Sequence, residues 1–154
     1  MPSFRRISLL PAILIGTQLS LASCVSERSD VESAAIIAIR DMHGLIPQEG
    51  EAISRRFLSS VWQGLDPPQA LPAAVLEASG LPARSLSRSD LEDSTTLVLN
   101  LFRPTSLGGD SLRVIAEWLI YEPGELFWGV DYHYTIDCSR TCAIAVRQGP
   151  GHLN

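Results

Sequence analysis

The sequence contains no lysine, and all twelve basic residues of the 154-residue chain are arginine. Acidic residues outnumber them, seventeen to twelve, which gives a formal net charge of −5. Binding to the phosphate backbone of a nucleic acid requires clustered positive charge, and an acidic chain is poorly suited to it. We therefore expect no nucleic-acid partner.

Motifs that identify common catalytic sites are also absent. The chain has no Gly-x-Ser-x-Gly, no phosphate-binding loop and no His-Glu-x-x-His, which are the patterns of serine hydrolases, nucleotide-binding proteins and zinc peptidases. Its three histidines are dispersed, at positions 43, 133 and 152. The sequence therefore predicts no metal site and no cofactor.

The longest apolar run is too short to span a bilayer. Residues 7–22 form a run of sixteen uncharged residues that includes a proline and a glycine, whereas a transmembrane helix needs roughly 20 apolar residues. The run follows Arg5 and Arg6 and ends in small residues, which is the layout of a secretory signal. We interpret residues 1–23 as a signal peptide, with twin-arginine export as a second interpretation of the arginine pair.

The signal ends in the tetrapeptide Leu21-Ala22-Ser23-Cys24. This tetrapeptide resembles the lipobox of bacterial lipoprotein precursors, in which a leucine and two small residues precede a cysteine. The resemblance implies a diacylglyceryl group on the Cys24 thiol, cleavage before Cys24 and acylation of the new amine. Several acyl chains would hold the protein firmly to a membrane, since one chain anchors only marginally. Val25, in place of aspartate, implies the outer membrane rather than the inner one, with the protein facing the periplasm.

Removal of the signal makes the remaining chain more acidic. The two leader arginines are lost and every acidic residue is kept, so ten arginines remain against seventeen acidic residues, a balance of −7. We expect residues 24–29 to be a lipidated tether, residues 30–148 a single globular domain and residues 149–154 a C-terminal tail. A chain of about 130 residues can form one stable core.

The first half of the domain has the pattern of helices. Apolar residues at helical spacing, between Ser29 as N-cap and Gly44 as C-terminal stop, predict a helix over about 30–43. A second helix is predicted to open at Pro72, which suits the first helical position. Between them, residues 53–62 fit a helix and a strand equally well.

The second half alternates with a period of two from residue 95 onward, which predicts strands. We expect an α+β fold in which N-terminal helices cover the apolar face of a four-stranded antiparallel β-meander. The pattern also allows extra short strands near 53–58 and 83–87. The four aromatic residues expected in the core are Trp118, Trp128, Tyr132 and Tyr134.

Two cysteines, Cys138 and Cys142, flank three residues at the predicted tip of the last hairpin. Facing positions of antiparallel strands lie within the Cα separation that a disulfide accepts. An exported protein meets an oxidising compartment, and Cys24 is already assigned to lipid. We therefore predict a structural disulfide between Cys138 and Cys142.

The polar side of the third predicted strand provides the best candidate for a polar site. Asp131 and His133 lie on the same side of the strand, about 7 Å apart by strand rise. Such a pair could act as a general base, bind a ligand or hold a metal, although the wetted face of a half-buried sheet also explains it. Thr135 and Asp137 lie on the same side of this strand. Three residues of the preceding strand could join the face if the register allows: Arg113, Glu117 and Tyr121.

The anchor and the lack of catalytic motifs together favour a non-enzymatic binding or scaffold module at a membrane surface. Its partners would be the membrane, through the lipid on Cys24, and an envelope protein. The alternative hypothesis is a small hydrolase or isomerase that uses Asp131 and His133. That alternative requires both side chains to converge in a concave site on the sheet.

Overall fold

The computed structural model describes residues 18–45, 55–85, 95–123 and 125–153, with all their side chains except those of 18–28, 125–127 and 152–153. The predicted signal peptide before residue 18 therefore lies outside the described residues. The elements follow in this order: α1 (Gln18–Gly44), β1 (Arg55–Ser59), α2 (Ala73–Ser79), β2 (Ala83–Arg84), β3 (Thr96–Leu101), β4 (Thr105–Gly108), β5 (Ser111–Glu122), β6 (Glu125–Asp137) and β7 (Ala143–Leu153).

The strands form one seven-stranded mixed sheet in the order β2-β1-β3-β5-β6-β7, with β4 paired to β5. The prediction of a four-stranded antiparallel meander was therefore wrong. Antiparallel pairing does run through β3, β5, β6 and β7. However, β1 pairs in parallel with both β2 and β3, so the segments near 53–58 and 83–87 belong to the sheet.

Local sequence could not specify the parallel part of the sheet. Phe57, Leu58 and Ser59 are buried in succession at the end of β1, so the alternation that identifies a half-exposed strand is missing. The partner strand β3 begins at Thr96, some forty residues later in the chain. Pairing over that distance depends on tertiary packing rather than on a local turn.

Both helices contribute to a core on one face of the sheet. The buried residues of α1 recur at helical spacing, as Ala34, Ala35, Ala38, Ile39 and Met42. They pack with alternate residues of β5 and β6, which include the aromatic residues Trp118, Tyr132 and Tyr134. Trp128 lies partly buried against the same core, so the predicted placement of these aromatics is confirmed.

Helix α1 is longer than the sequence predicted. It begins at Gln18 rather than near residue 30, and its backbone stays helical through residues 24–29, where we expected a tether. No glycine or proline interrupts the chain between Gly16 and Gly44, so nothing local stops the helix earlier. In the part of the chain that the structure describes, neither helix is long and apolar enough to cross a membrane.

Strand β7 also extends further than predicted. The sequence predicted a C-terminal tail over residues 149–154, but β7 pairs with β6 as far as Leu153. The Gly149-Pro150-Gly151 segment forms an irregularity in this pairing, between the partners of Asp131 and His133. Proline is tolerated at such a place because β7 is an edge strand.

Candidate functional site

A polar cluster lies on the sheet face opposite the helices. The antiparallel register pairs Asn100 of β3 with Glu117 of β5, and Glu117 with Asp131 of β6. His133 follows Asp131 on the same side of β6. We call these four residues, Asn100, Glu117, Asp131 and His133, the polar cluster.

A short hydrogen bond joins the two residues that the sequence singled out. His133 Nε2 lies 2.7 Å from Asp131 Oδ2. The Asp131 side chain is 19% exposed and that of His133 is 43% exposed, so neither extends freely into solvent. The bond fixes the orientation of the imidazole and leaves its Nδ1 edge available to another group.

The environment of Glu117 disfavours its charge. Partial burial raises the pKa of the Glu117 carboxyl above its ordinary value, and the nearby Asp131 carboxylate raises it further. The side-chain hydrogen bond from Asn100 and the proximity of His133 act in the opposite direction. Tyr121 lies at the border of the cluster, where burial and the Glu117 charge raise the pKa of its phenol.

The bulged part of β7 closes the cluster on one side. A Cβ at Gly151 would overlap the Asp131 carboxylate, and one at Gly149 would lie 2.8 Å from the Asp131 carbonyl oxygen. The two glycines therefore allow β7 to lie directly against Asp131. This close contact limits the space beside the aspartate side chain that contacts His133.

A separate cleft of about 430 Å³ opens where β3 ends and β4 begins. Neither Asp131 nor His133 lines it, so this cleft does not supply the concave site that the enzymatic hypothesis requires. Gly64, with a positive φ of 71°, lies at its wall, where an added Cβ would be 3.4 Å from the Phe102 ring. Twelve residues line the cleft: Val31, Gln63, Gly64, Leu65, Phe102, Arg103, Pro104, Thr105, Ser106, Leu112, Arg113 and Ile115.

The predicted disulfide between Cys138 and Cys142 is present and closes the turn between β6 and β7. An oxygen of Asp30 lies within 4.8 Å of both sulfur atoms. Because the sulfurs are bonded to each other, they are not available as metal ligands. The side chain of Cys24, the proposed lipidation site, lies outside the described residues.

A second set of polar side chains links α1 to the sheet, on the sheet face that the helices cover. The Tyr134 hydroxyl donates to Asp41 Oδ2 at 3.1 Å, and Arg147 Nη1 donates to the same oxygen at 2.8 Å. Burial, together with the Asp41 carboxylate, raises the pKa of Tyr134 far above its ordinary value. The phenol therefore stays protonated and serves as a structural donor.

Sequence reasoning placed part of the polar cluster and missed the rest. Glu117 was expected to join Asp131 only if the register allowed, and the register does pair them. Asn100 was not predicted, because it lies in an apolar run in which alternate leucines already account for the strand pattern. A single polar residue on the other side of that run was the signal available. Arg113, Tyr121 and Thr135 share the face but are not part of the cluster.

Comparisons of the chain with protein-family models, with curated proteins and with solved structures gave no match.

Proposed function

We propose that this chain is a lipid-anchored, non-enzymatic binding module of a bacterial cell envelope, held at a membrane by acyl chains on Cys24. The observation that carries the proposal is the tetrapeptide Leu21-Ala22-Ser23-Cys24 at the end of an apolar leader. The disulfide between Cys138 and Cys142 supports it. That bond is expected in an oxidising compartment and leaves Cys24 as the one cysteine available for lipid.

The packing of α1 is compatible with cleavage before Cys24. The first buried helix residue among the described side chains is Ala34, ten positions after Cys24. Cleavage would therefore remove none of the described side chains that α1 packs against the sheet. The intervening residues would separate the globular domain from the membrane.

The polar cluster is the proposed binding surface for an envelope partner. Two carboxylates, Glu117 and Asp131, are paired across neighbouring strands, and His133 lies beside them. This arrangement offers hydrogen-bond acceptors to a cationic group, such as an arginine or lysine of a partner protein. Partial burial would make such a pair stronger than one in open solvent.

The anchor is tested by the substitution Cys24→Ser. We expect it to abolish labelling by a radioactive or clickable fatty acid and to block processing, so that the precursor accumulates. Cys138→Ser, which leaves the tetrapeptide intact, is the control and should still be labelled. Unchanged labelling and processing of Cys24→Ser would refute the proposal.

The binding surface is tested by capturing partners on the anchored protein after cross-linking in intact cells. We expect the double variant Glu117→Gln/Asp131→Asn to lose a partner that the wild type captures. The matched control is Glu77→Gln/Asp110→Asn, because both of these acidic residues are exposed away from the cluster. Equal capture by all three proteins would exclude the polar cluster as the binding surface.

A small hydrolase or isomerase is the second candidate, and the 2.7 Å bond between His133 and Asp131 is the observation that favours it. In such an enzyme Asp131 would orient the imidazole and His133 would act as general base. Turnover of ester or amide substrates that disappears in His133→Asn and survives in Asp110→Asn would support this candidate. Turnover unaffected by His133→Asn would exclude it.

A further inference from the structure

We infer that the cleft at the β3–β4 junction binds the phosphate-bearing headgroup of an anionic phospholipid from the membrane that holds the anchor. The inference rests on the proposed lipid anchor and adds to it a second, non-covalent contact with the same membrane. It uses a different surface from the polar cluster.

The charge of the cleft is opposite to that of the whole chain. Its lining includes Arg103 and Arg113 and no acidic residue, although acidic residues outnumber arginines seventeen to twelve in the sequence. Arg103 Nη1 donates to the neutral Gln69 Oε1 at 3.3 Å. Among the residues that the structure describes, no carboxylate pairs with either arginine. Two unneutralised guanidinium groups favour a phosphate ligand.

The remaining walls of the cleft suit the apolar part of a lipid. Leu65, Phe102 and Leu112 are lining residues that are only partly buried. Leu107, which follows the lining residue Ser106 on β4, is 46% exposed. An apolar side chain beside a cationic cleft is well placed to contact the interfacial region of a bilayer.

The position of the cleft brings it close to the proposed anchor. Val31 of α1 lines the cleft, and the disulfide-bonded Cys142 sulfur lies 3.9 Å from the Asp30 carbonyl oxygen. The N-terminal half of α1 therefore lies at the same end of the sheet as the cleft and the disulfide. Val31 lies seven helical positions after Cys24, a distance of about 10 Å along the helix axis. A membrane that contains the acyl chains would thus be within reach of the cleft.

The test uses the acylated protein, extracted from membranes in a mild detergent and titrated with phosphatidylglycerol, phosphatidylcholine or inorganic phosphate. Native mass spectrometry measures the bound lipid. We expect Arg103→Gln/Arg113→Gln to weaken phosphatidylglycerol binding about tenfold or more, as loss of charge-assisted hydrogen bonds would. The control Arg55→Gln/Arg56→Gln removes the same charge from exposed positions on β1 and should bind as the wild type does.

Three results would overturn the inference: equal phosphatidylglycerol affinity of the cleft variant and the wild type, equal weakening in the β1 control, or inorganic phosphate binding as tightly as the lipid. Phosphatidylcholine should bind more weakly than phosphatidylglycerol, because its headgroup carries no net charge. The same spectra report whether Cys24 is acylated. A protein without acyl chains would refute the anchor, whereas an acylated protein indifferent to the arginine changes would refute only the lipid-binding cleft.

Discussion

At the scale of single residues, the polar cluster contains a carboxyl, that of Glu117, whose surroundings disfavour its charged form. Glu117 is held between an amide and a second carboxylate, Asp131, and its pKa is raised mainly because it is partly buried. A cationic partner that approached this face would reverse that effect by favouring the charged carboxylate. The cluster is therefore suited to a ligand that brings positive charge.

Glu117 should make the stability of the free protein depend on pH. Its pKa is higher in the folded than in the unfolded chain, so the stability it contributes is present below the ordinary value of 4.5 and is lost as the pH rises through the raised value. Glu117→Gln should therefore raise the melting temperature at about pH 8, by no more than about 3 °C because the carboxyl is only partly buried. Thermal denaturation measured across pH checks this.

The difference between Glu117→Gln and the wild type should shrink as the pH falls towards about 4. Glu77→Gln, at an exposed position of α2, controls for the loss of one negative charge. A difference that grew at low pH would contradict the assignment of the raised pKa to Glu117.

Asp41 is expected to stabilise the packing of α1 through the buried Tyr134 hydroxyl. Tyr134→Phe removes one hydrogen bond and should lower the free energy of unfolding by about 1 kcal/mol. Asp41→Ala leaves the phenol without its acceptor and should cost more, about 1–3 kcal/mol. Urea denaturation of both single variants and the double variant gives the coupling energy. Additive costs would show that the 3.1 Å contact contributes nothing to stability.

The residue scale also shows where sequence reasoning succeeds. The alternation along β6 placed Asp131 and His133 on one side, and the structure joins them through a hydrogen bond. The spacing of Cys138 and Cys142 predicted a disulfide, which is present. Both conclusions depended on residues close in the chain. Asn100 and Glu117 come from different strands, and only the tertiary register brings them to the cluster.

At the scale of elements, the sequence left β1 undecided and ended β7 too early, for different reasons. β1 is buried along consecutive residues and pairs in parallel with a distant strand, so residues 53–62 fitted a helix as well as a strand. β7 was cut short at Gly149-Pro150-Gly151, a segment that usually breaks structure. Here the edge strand accommodates the segment as a bulge, and this bulge forms one side of the polar cluster.

The bulge of β7 should be sensitive to any side chain at Gly149. Its φ of 135° is a conformation that residues with a Cβ rarely adopt, and a Cβ would lie 2.8 Å from a backbone oxygen. We expect Gly149→Ala to lower the free energy of unfolding by about 1–3 kcal/mol or more. Chemical denaturation checks the size of the loss, and partner capture checks its effect on the cluster.

Gly109→Ala is the matched control for that change. Gly109 also has a positive φ, of 58°, but no atom lies within 4 Å of the added Cβ. It should therefore show the conformational cost alone, about 1 kcal/mol. Equal losses in the two variants would contradict the close contact of β7 with Asp131.

At the scale of the whole molecule, the proposed anchor and the proposed lipid-binding cleft belong to the same end of the protein. The N-terminal half of α1, the disulfide turn and the arginine-lined cleft lie at one end of the sheet. The proposed lipid on Cys24 would place that end next to the membrane. The polar cluster would then be displayed on the sheet face for an envelope partner. The sequence predicted the anchor and the acidic balance, but the location of both surfaces required the sheet register.

The most direct test of the lipid anchor is the intact mass of the protein extracted from the membranes of its own cells. We expect the mass of residues 24–154 with a diacylglyceryl group and an acyl chain at the N-terminus, and with two hydrogens fewer for the Cys138–Cys142 disulfide. Tandem fragmentation should place the added lipid mass on Cys24. A mass equal to the unmodified 154-residue chain, or to a cleaved chain without lipid, would refute the lipid anchor.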